Sequence, residues 1–125
     1  MKFRGYRQGQ AGGGCLVSIV DDFGDERVMG LPPIKAGREF RHSPDGFQWG
    51  YAGSGPAELA RAILIAAVPD DDRVRYPLCY QKFKAEAIAP IRRDEFVIEA
   101  KAVQEWYEAW LVEHGDRVER GWLDA

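Results

Sequence analysis

A chain of 125 residues, 46% hydrophobic and 12% aromatic, has the size of one domain and enough apolar material for a core, which excludes global disorder. Its formal charge of −3, from 17 Lys+Arg against 20 Asp+Glu, lacks the basic excess of a dedicated duplex-DNA binder. The longest apolar run, Ala62–Val68, is far short of the ~20 residues of a membrane helix, and the first seven residues carry no apolar stretch of a secretory signal; a soluble, cytoplasmic protein without membrane contact is expected.

Lys2–Arg7 alternates polar and aromatic residues, the period of a strand, with Gly5 expected to break its regularity. Gln8–Gly14 holds four glycines and reads as a turn; it lacks the lysine-and-hydroxyl ending of a phosphate loop. Cys15–Val20 is β-branched and apolar, the clearest strand in the chain. Asp21–Glu26 supplies turn carboxylates and a glycine without the spacing of a calcium loop, and Arg27–Met29 returns as a hairpin partner. The consecutive prolines Pro32 and Pro33 predict an irregular crossing segment.

Pro44-Asp45-Gly46 is a turn signal, after which Phe47, Trp49 and Tyr51 alternate with small or polar residues. As a strand this stretch would place its three aromatics on one, core-directed face. Gly53-Ser54-Gly55-Pro56 then reads as a helix start, with Ser54 or Gly55 as the N-cap and Glu58 favouring the positive end of the helix dipole. Leu59, Ala60, Ile63, Leu64 and Ala67 repeat at helical spacing to about Val68. A second helix is expected from Pro77 to Ile88, closed by Ala89-Pro90. A short strand follows at Glu95–Glu99. A third helix runs from Ala100 to His114, with Val103, Trp106, Tyr107, Trp110 and Leu111 on one stripe and Gly115 as its C-terminal stop. The fold class is α+β: a small, mostly antiparallel sheet with about three helices on one face, in the order β-β-β-(β)-α-α-β-α. Residues 1–115 form one domain and 116–125 a tail, whose Trp122-Leu123 docks on the body or on another chain.

Ser43–Tyr51, Gly53–Ala60, Tyr80–Lys84 and Ile88–Asp94 carry a resemblance. The chain resembles a family of small uncharacterised proteins of bacteria, their phages and their plasmids, over roughly Tyr6–Trp110, with Ser43–Ala60 as the most specific block. The resemblance implies a mobile-element context and transfers no catalytic residue.

His42 and His114 are the only histidines, and the two cysteines, Cys15 and Cys79, belong to no zinc-spaced cluster. His42 with Ser43 and Asp45 resembles a catalytic group, but Asp45 is explained by the turn. No catalytic residue, metal or cofactor is implied. The candidate binding residues are Phe47, Trp49, Tyr51, Gly53, Ser54, Gly55, Arg92 and Arg93. Backbone N–H groups at Gly53–Gly55 can receive an anion, with Arg38, Arg41 and Arg61 as further flanking cations. The leading expectation is a non-enzymatic accessory protein that binds another protein through the Phe47–Tyr51 loop or Trp122-Leu123. Single-stranded nucleic-acid binding at Arg92/Arg93 is the alternative. The third reading is an enzyme or binder for a small anion at the helix mouth, with His42 as base.

Overall fold

The computed structural model describes residues 1–7, 15–35, 39, 41–42 and 46–119, with side chains as far as residue 115. The glycine run before Cys15, Pro44, Asp45 and Trp122-Leu123 lie outside the described residues. Four strands, β1 (Lys2–Arg7), β2 (Cys15–Val20), β3 (Glu26–Val28) and β4 (Glu95–Glu99), form one antiparallel sheet in the order β3-β2-β1-β4. The β2–β3 hairpin is closed by Asp21, whose Oδ1 accepts from the amides of Phe23 (2.8 Å) and Asp25 (3.0 Å). Asp21 therefore serves the turn, while Asp22 pairs with the N-terminal amine.

The sheet has two unlike faces, as period-two alternation demands. Phe3, Val17, Ile19 and Phe96 are buried in the core with the helices, while Arg4, Glu26, Val28 and Val97 lie exposed on the other face. Gly5 does not interrupt β1: the Phe96 ring covers it, in the space a Cβ would occupy.

The centre of the molecule is α1 (Ser54–Ala67), with 11 of its 14 residues buried. Its Ala60 and Ala67 allow close approach, and Leu59, Ile63 and Leu64 are fully buried. A short 3-10 helix (Asp72–Arg75) capped by Asp71 leads to α2 (Pro77–Phe83), which continues as a π-helical turn, Lys84–Ile88. The last helix, α3 (Ala100–Glu119), buries Val103, Tyr107 and Trp110. Its Gln104 donates to the carbonyl of Ala67 (2.9 Å), and Tyr107 donates to Asp71 (2.7 Å), so α3 ties down the far end of α1.

Two further expectations about regular structure are corrected. The helix does not stop at His114: Gly115 keeps helical geometry, because a helical glycine costs only about 1 kcal/mol and terminates a helix when it turns to positive φ, which it does not do here. The aromatic stretch is not a strand. Gly50 takes φ 92°, which throws Tyr51 away from the direction of Phe47 and Trp49.

Candidate functional site

The aromatic stretch divides into an anchor and a surface. Phe47 and Trp49 are buried, whereas Tyr51 is 48% exposed. Trp49 is held on every side: its Nε1 donates to the carbonyl of Arg93 (3.0 Å) and its ring meets Phe96 edge-on at 4.8 Å. The Arg7 guanidinium sits over that ring at 5.0 Å, donates to the Trp49 carbonyl (2.9 Å) and pairs with Asp94 (3.1 Å). The Gly50 amide donates to the carbonyl of Ile88 (3.3 Å) at the end of the π-helical turn. A Cβ at Gly50 would stand 2.9 Å from the carbonyl oxygen of Ile91, so positive φ and close approach both require glycine there.

This docking brings Trp49, Tyr51 and Arg92 to one cleft of about 490 Å³, completed by Arg7, Cys15, Gln48, Gly50 and Ile91. Ile91 and Arg92 also border a second groove of about 550 Å³, with Pro90, Arg93, Glu95, Phe96 and Val97. Arg92 and Arg93 are exposed and make no ion pair with the described residues. Neighbouring positive charge without an ion pair among the described residues thus lies beside a half-exposed tyrosine.

The helix mouth is organised differently. Gly53, not Ser54 or Gly55, is the N-cap of α1, and no side chain caps it. Pro56 has no amide, and the Ala57 amide bonds to the Gly53 carbonyl (3.0 Å), leaving Ser54 and Gly55 as donors. The Gln48 side chain packs on Gly55 and the Tyr51 ring on Gly53, with Tyr51 hydrogen-bonded to Gln48. Gly53 and Gly55 thus sit under a Tyr51–Gln48 lid, while Ser54 is exposed.

The strongest electrostatic feature was missed in the sequence. Glu39, Glu58 and Arg61 are buried: Arg61 pairs with Glu58 (2.7 Å) and with Glu39, and Arg75 joins Glu39 at 2.5 Å. Both arginines also donate to the Pro33 carbonyl, at 3.1 and 3.2 Å. Two acids balance two guanidiniums, and together they bind the proline-rich crossing segment to α1. Burial pushes the Glu39 carboxyl up, but bonds from the Lys35 amide, Arg61 and Arg75 outweigh it and hold its pKa below the ordinary value. Glu58 and Arg61 therefore serve this cluster instead of the helix dipole or the mouth, and the exposed Arg41 donates to the Pro32 carbonyl (2.9 Å). The signal in the sequence was Glu58 and Arg61, three apart on the apolar face of a helix.

His42 is held by the same cluster. Its backbone amide donates to Glu58 (2.7 Å), and its Nε2 lies 2.6 Å from the Tyr80 hydroxyl. Burial lowers the His42 pKa and pushes Tyr80 up to about 12, so both are neutral at pH 7. Glu58 thus holds the backbone of His42. Ser43 and Asp45 lie outside the described residues. Cys79 is buried and Cys15 half-buried, both as free thiols. Among the described residues, no group of three or more His, Cys, Asp or Glu is placed to hold a metal ion, and no helix is long and apolar enough to cross a membrane.

The model of a family of unknown function, DUF6166, matches residues 5–109, and the chain belongs to that family. No curated protein and no solved structure matches it.

Proposed function

We propose that this family member is a small, non-enzymatic, cytoplasmic accessory protein of a mobile genetic element that acts by binding another protein. The surface is the one around Tyr51, Arg92 and Arg93. One observation carries the reading: two adjacent guanidiniums have no ion pair among the described residues, next to a tyrosine 48% exposed, on a loop immobilised by the buried Trp49. Tyrosine and arginine are the side chains that most often dominate protein interfaces, and a rigid base lowers the entropy lost on binding. The mobile-element context rests on the resemblance of the Ser43–Ala60 block. Affinity capture from host lysate with the wild-type chain and with Tyr51→Ala/Arg92→Ala/Arg93→Ala tests the proposal. A partner recovered by the first and lost with the second supports it; no specific partner with either removes it.

A second reading, single-stranded nucleic-acid binding, is favoured by the same arginines beside an available ring. Against it, Phe47 and Trp49 are buried, so the stretch offers one ring for stacking instead of three. This reading expects anisotropy changes with single-stranded oligonucleotides at low salt that vanish as salt rises and in Arg92→Ala/Arg93→Ala. No binding at low salt discards it.

A further inference from the structure

Among the described residues, the sheet ends on one side at β4. The Arg7 amide bonds to the Asp94 carbonyl (2.8 Å) and the Ala100 amide to the Met1 carbonyl (3.0 Å). These pairs fix the alternation of an antiparallel ladder: Phe96 and Ile98 face β1 with their backbone groups, and Glu95 and Val97 direct theirs outward. The outer-face side chains along the same edge are Glu95, Val97 and Glu99, all exposed, with Val97 at 57%. Acid, apolar, acid is a selective pattern. Antiparallel pairing with a second copy about Val97 would set Glu95 against Glu99 twice, so like charges oppose self-association. A strand carrying Lys or Arg, an apolar residue, then Lys or Arg meets the same three positions favourably.

Two more features lie along this edge. The groove of about 550 Å³ over Pro90, Ile91 and Phe96 lies where an inward-facing side chain of an added strand would point. Arg92 and Arg93 stand at the start of β4, and a strand added antiparallel ends its chain there. The opposite edge differs: β3 has three residues, and its Glu26 is engaged by Ser18 and by Arg4 (3.5 Å).

We propose that the β4 edge accepts an extended segment of a partner protein as a fifth, antiparallel strand. Basic residues of that segment stand opposite Glu95 and Glu99, with an apolar residue opposite Val97 between them, and a carboxylate at its end is held by Arg92 and Arg93. This inference rests on the protein-binding reading and specifies its mode, in which main-chain bonds give affinity and alternate side chains give selectivity.

The test is selection of the full chain against a displayed library of random twelve-residue peptides with free C-termini, followed by amide hydrogen exchange with the best binder. The expected winners carry basic, apolar and basic residues at successive alternate positions, and a terminal carboxylate. They slow exchange at the Glu95 and Val97 amides at least tenfold. Val97→Pro removes an amide that β1 does not use, so it keeps the fold and weakens binding at least tenfold, whereas Val97→Thr retains binding. Should proline disturb the edge, Glu95→Lys/Glu99→Lys carries the test by turning the preference towards acidic peptides. Unchanged exchange at Val97 together with equal binding by Val97→Pro, or a library without binders, overturns the inference. The lysate capture above then decides separately whether another surface of the protein binds a partner.

Discussion

Two arginine clusters lie in this small molecule, and their surroundings differ in kind. Arg61 is fully buried between Glu39 and Glu58, and Arg75 completes the balance of charge. Arg92 and Arg93 stand in solvent without an ion pair among the described residues, on a loop whose backbone is fixed by Trp49. A buried guanidinium must be paired, because its own desolvation is otherwise uncompensated; an exposed one can stay unpaired at little cost. The first cluster therefore reads as structure, and the second is available to a partner. Breaking the first should change stability and breaking the second should change binding.

The largest effect is expected inside. Arg61→Ala leaves the buried Glu58 without its cation and Glu39 with Arg75 alone, and should cost about 3–5 kcal/mol of unfolding free energy in a denaturant titration. Trp49→Ala removes the anchor of the aromatic loop and should cost about 3–5 kcal/mol, against less than about 1 kcal/mol for Tyr51→Ala, whose ring is half in water. Gly50→Ala combines positive φ with the nearby Ile91 carbonyl and is expected to cost about 1–3 kcal/mol.

Acid should weaken the inner cluster. His42 has a folded pKa below its ordinary 6.5, so the unfolded chain takes up that proton first and stability declines as pH falls below 6.5. Glu39 has a folded pKa below 4.5, so its contribution is whole above 4.5 and is lost as pH falls through the folded value. Thermal midpoints measured from pH 8 to 3 should therefore drop in two stages, and Glu39→Gln should flatten the lower one. The smallest stability effect, within about 0.5 kcal/mol, is expected for Arg92→Ala/Arg93→Ala.

Much of this architecture was legible locally. Lys2–Arg7 and Glu95–Glu99 are strands where their alternation places them, Cys15–Val20 is one where its β-branched apolar run does, and α1 runs from Ser54 to Ala67, as its apolar repeat requires. Tyr51 was not legible as the odd member of its trio, because the alternation of Phe47, Trp49 and Tyr51 carries no mark of the positive φ at Gly50. Nor could the sequence assign Glu58 and Arg61: their partner Glu39 lies 22 residues from Arg61, and only the folded crossing segment brings it in. The pairing of β4 with β1, 97 residues apart at Lys2 and Glu99, is likewise a property of the assembled sheet. Arg92 and Arg93 were read together with Arg61 as cations flanking the helix mouth, and their separation from the inner arginines required the fold.

The most direct measurement pairs unfolding with capture. Wild type and Arg92→Ala/Arg93→Ala are compared in one denaturant titration and in one affinity capture from host lysate. The account predicts superimposable unfolding curves and a partner recovered by the wild-type chain alone. Equal capture by both proteins, or loss of capture that accompanies loss of the fold, contradicts it.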